Sequence, residues 1–119
     1  PGPLTLVLPR LPHVSTLVTG GRETVGVRVP DLPLTRAILA ACGLAVVATS
    51  ANLAGEPPAT SVSALSSVLR EAVALIVDGG PSSGGEASTV VDLTVQPPAV
   101  LRAGPVSEDD IRAVLRRGR

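Results

Sequence analysis

Seven polar side chains stand just inside or just past the ends of predicted β-strands, and their types suit the binding of a small charged molecule. Hydroxyl and amide groups orient a polar ligand by hydrogen bonding, and arginine holds a carboxylate or phosphate through two parallel N–H donors. Because ligands of open α/β sheets collect beyond strand ends, the pattern predicts a binding site but does not name its ligand. The seven residues are Thr24, Arg28, Ser50, Asn52, Thr60, Ser88 and Arg102.

Other arrangements that support catalysis are absent or weak in the sequence. His13 is alone in a proline-flanked loop, and no Cys/His spacing is typical of a metal site. Residue counts leave a Ser-His-Asp triad open, but no Gly-x-Ser-x-Gly motif supports one. The chain has no lysine, which excludes a phosphate-binding loop of the Gly-x-x-x-x-Gly-Lys-[Ser/Thr] type.

Alternating or continuous apolar runs predict strands that would position these side chains. Thr24 and Arg28 are four residues apart on one such strand, so both should point to the same face. Three predicted helices interleave with the strands, which favours a single α/β domain with a mixed sheet. The strands are expected at residues 4–8, 24–29, 44–48, 74–77, 88–93 and 99–102.

The predicted helices have recognisable starts and ends. Asp31 is expected to cap a helix that runs to Cys42 and stops at Gly43, with the Cys42 thiol on the apolar, buried side. A second helix is expected to begin at Ser61. Ser107 with Asp110 resembles a capping box that starts the last helix, whose arginine-rich end at 116–119 is interpreted as a solvated helix terminus, with phosphate or RNA contact left open.

Composition restricts the class of protein. The 119 residues include no Phe, Tyr, Trp or Met, so Val, Leu, Ile and Ala must form the core. Ten arginines balance ten acidic residues, which gives no support to a nucleic-acid interface built on bulk charge. The single cysteine excludes an internal disulfide and suits a reducing cytoplasm, and no apolar run approaches the roughly 18 residues that a membrane span needs.

Six segments occur in the order seen in the YrdC-like family, the threonylcarbamoyl-adenylate synthases, which the whole chain therefore resembles. The resemblance implies a twisted mixed sheet flanked by helices in one YrdC-like domain, residues 1–119. The segments are PGPLTLVL at 1–8, TVGVRVPD at 24–31, SANLAG at 50–55, DGG at 78–80, STVVD at 88–92 and LRAGP at 101–105.

The resemblance also implies a reaction. L-Threonine, bicarbonate and ATP would give threonylcarbamoyl-AMP and pyrophosphate, and a partner complex would transfer the threonylcarbamoyl group to tRNA. Mg²⁺ would arrive with ATP, and neither a protein ligand for it nor a catalytic residue is assigned. By motif, the threonine-binding positions are Arg28, Ser50 and Ser88, and the nucleotide-binding positions are Thr24, Asn52, Thr60 and Arg102.

This sequence also departs from the family pattern. Ala54, Ala87 and Ala103 stand where the family usually has Ser, Glu and Pro. The family's Pro-Thr-x-Thr-x-Tyr-Gly and Lys-x-Arg motifs normally precede PGP and have no counterpart among these residues. We therefore expect an N-terminally truncated domain that binds weakly and turns over poorly in isolation, because charge at the α-phosphate site is missing.

Two alternative functions share this fold. The first is a non-catalytic module that binds double-stranded RNA, which the neutral net charge disfavours. The second is the carbamoyl-adenylate domain of a carbamoyltransferase, which would use carbamoyl phosphate.

Overall fold

The computed structural model describes residues 1–82 and 86–117, and within these ranges it contains four strands and four α-helices. The chain divides into two compact units. We call residues 1–43 with 86–117 the sheet unit and residues 44–82 the second unit. The elements are β1 (Leu4–Pro9), α1 (Thr16–Thr19), β2 (Thr24–Val27), α2 (Pro33–Cys42), a 3-10 helix (Val62–Ala64), α3 (Ser67–Ala72), β3 (Thr89–Asp92), β4 (Ala99–Arg102) and α4 (Glu108–Arg117).

All four described strands belong to the sheet unit and form one mixed sheet in the order β2-β1-β3-β4. β1 runs antiparallel to β2 and parallel to β3, so Leu6 lies opposite Val27 on one side and Val91 on the other. β4 runs antiparallel to β3, with an irregularity between Val90 and Val91. The predicted α/β class with a mixed sheet is confirmed.

The two faces of the sheet differ in polarity because side chains alternate along each strand. Leu4, Leu6 and Leu8 line an apolar groove of about 350 Å³ together with Val27 and other residues. On the same face, the register places Thr89 beside Leu4 and Val91 beside Leu6. Thr89 and Val91 are 0 % and 1 % exposed, so this face carries the core of the sheet unit.

The buried Thr89 hydroxyl joins β3 to the segment that precedes α4. It donates to the Val106 carbonyl at 2.8 Å and accepts from the Val106 amide at 3.0 Å. We expect Thr89→Val to lower the free energy of unfolding by about 1–2 kcal/mol, because the same-sized side chain leaves both backbone groups without a partner. Urea unfolding would measure this, with exposed Thr16→Val as the control that should change little. Equal stabilities of the Thr89 variant and the parent would contradict it.

Two of the six predicted strands are wrong. Residues 44–48 and 74–77 adopt no strand and are exposed, with Leu44 at 76 % and Leu75 at 77 %. Apolar composition indicates which side chains would gain from burial, but a strand also needs a neighbour that accepts its backbone hydrogen bonds. No strand among the described residues pairs with either segment.

The helix ends show a second set of differences. Leu32, not Asp31, is the N-cap of α2, since Pro33 fits the first helical position and needs no N–H partner there. Ser61 does begin a helix, but only the 3-10 turn. Ser66 adopts extended backbone and its hydroxyl accepts from the Leu69 amide, which starts α3 separately. Cys42 is exposed, not buried, and none of the other residues of α2 is buried either.

The start of α4 agrees with the capping prediction. The Ser107 hydroxyl accepts from the Asp110 amide at 3.2 Å and donates to the Asp110 carboxylate at 2.6 Å. One turn later Arg112 pairs with Glu108, which raises the pKa of Arg112. Arg119 lies outside the described residues. None of the helices in the described ranges is long and apolar enough to cross a membrane.

Candidate functional site

Three polar side chains form a hydrogen-bonded chain on the face of the sheet opposite the core. Arg102 donates from Nε to the Ser88 carbonyl at 2.9 Å and from a terminal nitrogen to the Ser88 hydroxyl at 3.1 Å. The Ser88 and Thr5 hydroxyl oxygens are 2.7 Å apart. We call Thr5, Ser88 and Arg102 the hydroxyl–guanidinium chain.

The sheet register explains why these three residues meet. Thr5 lies opposite Val90 across the parallel pair, and Arg102 lies opposite Val90 across the antiparallel pair. Ser88 precedes Val90 by two residues and therefore shares its face. Ser88 and Arg102, which the family resemblance assigns to threonine and to the nucleotide, are thus in direct contact.

Close backbone packing holds the Ser88 segment beside the end of β4. A Cβ atom built on Gly104 would lie 2.5 Å from the Ala87 carbonyl oxygen and 2.5 Å from the Thr89 amide nitrogen. Only glycine lets two backbone segments approach so closely. Ser88 is 5 % exposed, so the protein fixes its position before any ligand binds.

Thr24 and Arg28 belong to β2 and its continuation. Thr24 lies opposite Pro9, and Arg28 lies between Val27 and Val29, which both line the apolar groove. The Arg28 Nε donates to the Gly2 carbonyl at 3.0 Å. Within residues 1–82 and 86–117 its two terminal nitrogens have no hydrogen-bond partner, so they are available to a carboxylate.

Asn52 is built into the second unit by its own loop. Its side-chain nitrogen donates to the Leu53 and Glu56 carbonyls, both at 2.9 Å. The turn they enclose is closed by the Glu56 amide donating to Leu53 at 3.0 Å, and Gly55 has the positive φ of 86° that such a turn requires. The Asn52 Oδ1 is buried without a partner among the described residues, which leaves an acceptor for a ligand N–H or a water.

Ser50 and Thr60, the other predicted residues of the second unit, are exposed. The Thr60 carbonyl accepts from the Ser82 amide at 2.8 Å and from its hydroxyl at 3.2 Å. The next residue, Ser61, begins the lining of a cleft of about 390 Å³ that also includes Arg70 and Asp78. Arg70 uses one terminal nitrogen on the Val62 and Ser63 carbonyls, so it mainly holds the cleft wall.

Asp92, which is not among the predicted site residues, has a structural role. The Thr94 hydroxyl and amide both donate to the Asp92 carboxylate, at 2.6 and 2.8 Å, and lower the pKa of Asp92. This contact stabilises the turn between β3 and β4.

Within the part of the chain that the structure describes, no group of three or more His, Cys, Asp or Glu side chains could hold a metal ion.

Sequence reasoning missed two residues, Thr5 and Gly104. Both lie inside segments that carried the family resemblance, PGPLTLVL and LRAGP. Strand alternation placed Thr5 on one face of β1, but its partner is 83 positions away and depends on the β1–β3 register. For Gly104 the sequence gives no signal beyond its residue type.

The family model that spans Sua5, YciO and YrdC proteins, described as "Telomere recombination", matches residues 1–104. The chain belongs to the Sua5/YciO/YrdC family. Its relatives in this family include the threonylcarbamoyl-AMP synthase of Bacillus subtilis, 43 % identical over 116 residues, which are 97 % of this chain and 34 % of that protein. The putative threonylcarbamoyl-AMP synthase of Mycobacterium tuberculosis H37Rv is 39 % identical, with 97 % of this chain and 52 % of that protein covered.

Solved structures of the Sua5/YciO/YrdC family share the fold. Pyrococcus abyssi Sua5 in complex with L-threonine is 38 % identical, with a TM-score of 0.85 over 97 % of this chain and 34 % of that chain. Escherichia coli YciO is 31 % identical, with a TM-score of 0.69 over 90 % of this chain and 52 % of that chain. The present chain spans about a third of the length of the Bacillus and Pyrococcus relatives.

Proposed function

We propose that this chain supplies threonine- and nucleotide-binding residues of a threonylcarbamoyl-AMP synthase. The observation that carries the proposal is the contact between Ser88 and Arg102, which joins a fixed hydroxyl to a guanidinium on one sheet face. Relatives at 43 % and 38 % identity carry that enzyme name, and a Sua5 relative was solved with L-threonine. These similarities support the substrate assignment.

The proposed reaction needs positioned charge more than acid–base groups. The amine of threonine and bicarbonate form a carbamate with loss of water. A carbamate oxygen attacks the α-phosphorus of ATP, the bond to the β-phosphate oxygen breaks, and pyrophosphate leaves. Catalysis of such a step depends on orientation and on donors placed where negative charge develops. Hydroxyl, amide and arginine side chains meet that need.

On the threonine side, we assign the carboxylate to Arg28 and polar contacts to Ser50 and Ser88. Arg28 is fixed through Nε alone, which leaves its terminal nitrogens for a two-point interaction. The Ser88 hydroxyl is held by Thr5 and Arg102. Both arrangements suit an amino acid ligand.

On the nucleotide side, we assign Arg102 to a phosphate and Thr24, Asn52 and Thr60 to further polar contacts. The buried Oδ1 of Asn52 suits an N–H donor such as the amino group of adenine. Mg²⁺ would enter with ATP as part of the substrate, and we assign it no protein ligand.

The product defines a partner. Threonylcarbamoyl-AMP is a mixed anhydride, so the proposal requires a tRNA-modifying complex that accepts it, and weak RNA binding by this chain would be compatible with that role. The single free cysteine favours a reducing cytoplasm as the location.

The test uses the full natural chain with ATP, L-threonine and bicarbonate, and measures pyrophosphate release with each substrate omitted in turn. Release should require all three. Arg28→Met should raise the KM for L-threonine about tenfold or more, because a charge-assisted pair is lost. Exposed Arg22→Met is the matched control and should behave like the parent. Release that proceeds equally without threonine, or with carbamoyl phosphate in place of threonine and bicarbonate, would contradict the proposal.

A further inference from the structure

We infer that Thr5 is a positioning residue that orients the Ser88 hydroxyl toward the amino acid substrate. This inference rests on the proposed function, since it concerns how the threonine site is organised. Thr5 itself would not touch the substrate. Its hydroxyl lies 2.7 Å from that of Ser88 and acts through it.

We assign Thr5 as the donor in the hydrogen bond between the Thr5 and Ser88 hydroxyls, in which either oxygen could donate. A serine hydroxyl has one donor and two acceptor positions, and arginine can only donate. Arg102 therefore occupies one acceptor position of Ser88. Within the described ranges the Thr5 hydroxyl has no other side-chain or backbone partner, so donation to Ser88 gives its proton an acceptor within the protein.

The consequence lies at the Ser88 hydroxyl. With both acceptor positions filled by Thr5 and Arg102, its own O–H is left to donate outward. A carboxylate is the group on threonine that accepts such a bond with the greatest gain. If Thr5 did not donate, the Ser88 hydroxyl could rotate and donate its own hydrogen bond within the protein.

The surroundings of Thr5 keep it in place. Its β-branched side chain has few χ1 choices in a strand. Across the β1–β2 pair, a Cβ atom on Gly26 would lie 3.3 Å from the Thr5 methyl, so glycine leaves that methyl its space. Ser88 is nearly buried, which makes the bond part of a preorganised site.

The test measures L-threonine and ATP binding separately by calorimetry in the full natural chain. Thr5→Val removes the hydroxyl at constant shape and should weaken L-threonine binding about three- to tenfold while leaving ATP affinity within about twofold. Thr5→Ser keeps the hydroxyl and should restore threonine affinity. A purely packing role predicts the reverse order, with Thr5→Val neutral and Thr5→Ser impaired, and would overturn the inference.

A double-mutant cycle with Ser88→Ala separates this inference from the proposed function. If Thr5 acts through Ser88, adding Thr5→Val to Ser88→Ala should cause no further loss of threonine affinity. Full additivity would overturn the positioning role. If Ser88→Ala weakens threonine binding and Thr5→Val does not, the positioning role of Thr5 is overturned but the threonine site is not. Unchanged threonine affinity in Ser88→Ala would overturn the threonine site itself.

Discussion

Gly104→Ala is expected to lower the free energy of unfolding by about 3 kcal/mol, the upper range for inserting one carbon into a packed site. The added Cβ would lie 2.5 Å from the Ala87 carbonyl oxygen, 2.5 Å from the Thr89 amide nitrogen and 2.8 Å from the Ser88 carbonyl carbon. All three neighbours are backbone atoms, so no side-chain rotation relieves the overlap. Chemical denaturation would measure the change.

The same substitution at Gly26 is the matched control. There the nearest atom is the Thr5 methyl at 3.3 Å, which can move by a few tenths of an ångström. Gly26→Ala should therefore cost much less, below about 1 kcal/mol. Comparable losses at the two positions would mean that general strand disruption, and not the approach of residues 87–89, accounts for the effect of Gly104.

Arg102→Lys is expected to weaken ATP binding about 10- to 100-fold, which corresponds to the roughly 1.5–3 kcal/mol of a hydrogen bond to a charged group. The guanidinium binds the carbonyl and the hydroxyl of Ser88 in its present geometry. Lysine keeps the charge but has no rigid fork, so it cannot hold Ser88 at two points and also face a phosphate. Titration calorimetry with ATP would measure the loss.

Arg112→Lys is the control for the change of side-chain type. Arg112 is exposed and pairs with Glu108 one helical turn away, an arrangement that contributes little in water. Its ATP affinity should equal that of the parent. Parent-like ATP binding by Arg102→Lys would remove Arg102 from the nucleotide site and leave it a structural role beside Ser88.

Some local patterns predicted local structure correctly. The Ser107–Asp110 cap was predictable because both partners lie within one helical turn. Alternation in β1 was predictable because successive side chains of a strand point to opposite faces of the sheet. The strand predicted at residues 44–48 failed because its apolar composition carries no information about a neighbouring strand. The prediction that the Cys42 thiol is buried was wrong for a similar reason. Helical periodicity defines an apolar face of α2 but does not show what packs against it.

The candidate site shows the same division between local and distant information. Residue types and strand ends were enough to select Ser88 and Arg102. Their direct contact, and the contact of Ser88 with Thr5, depend on pairings between distant strands. The family resemblance supplied the ligand classes, which no spacing in the chain could have named.

Ser88 and Thr89 are adjacent, yet one hydroxyl bonds to Arg102 on one face of the sheet and the other bonds to Val106 on the core face. Which of the two hydroxyls faces Arg102 and which faces the core therefore depends on the register of β3 alone. A slip of one residue in β3 would bring Thr89 to the Arg102 side and put Val90, which has no hydroxyl, in the place where Val106 needs one. Insertions or deletions within β3 should consequently impair binding and stability together, whereas substitutions can affect one without the other.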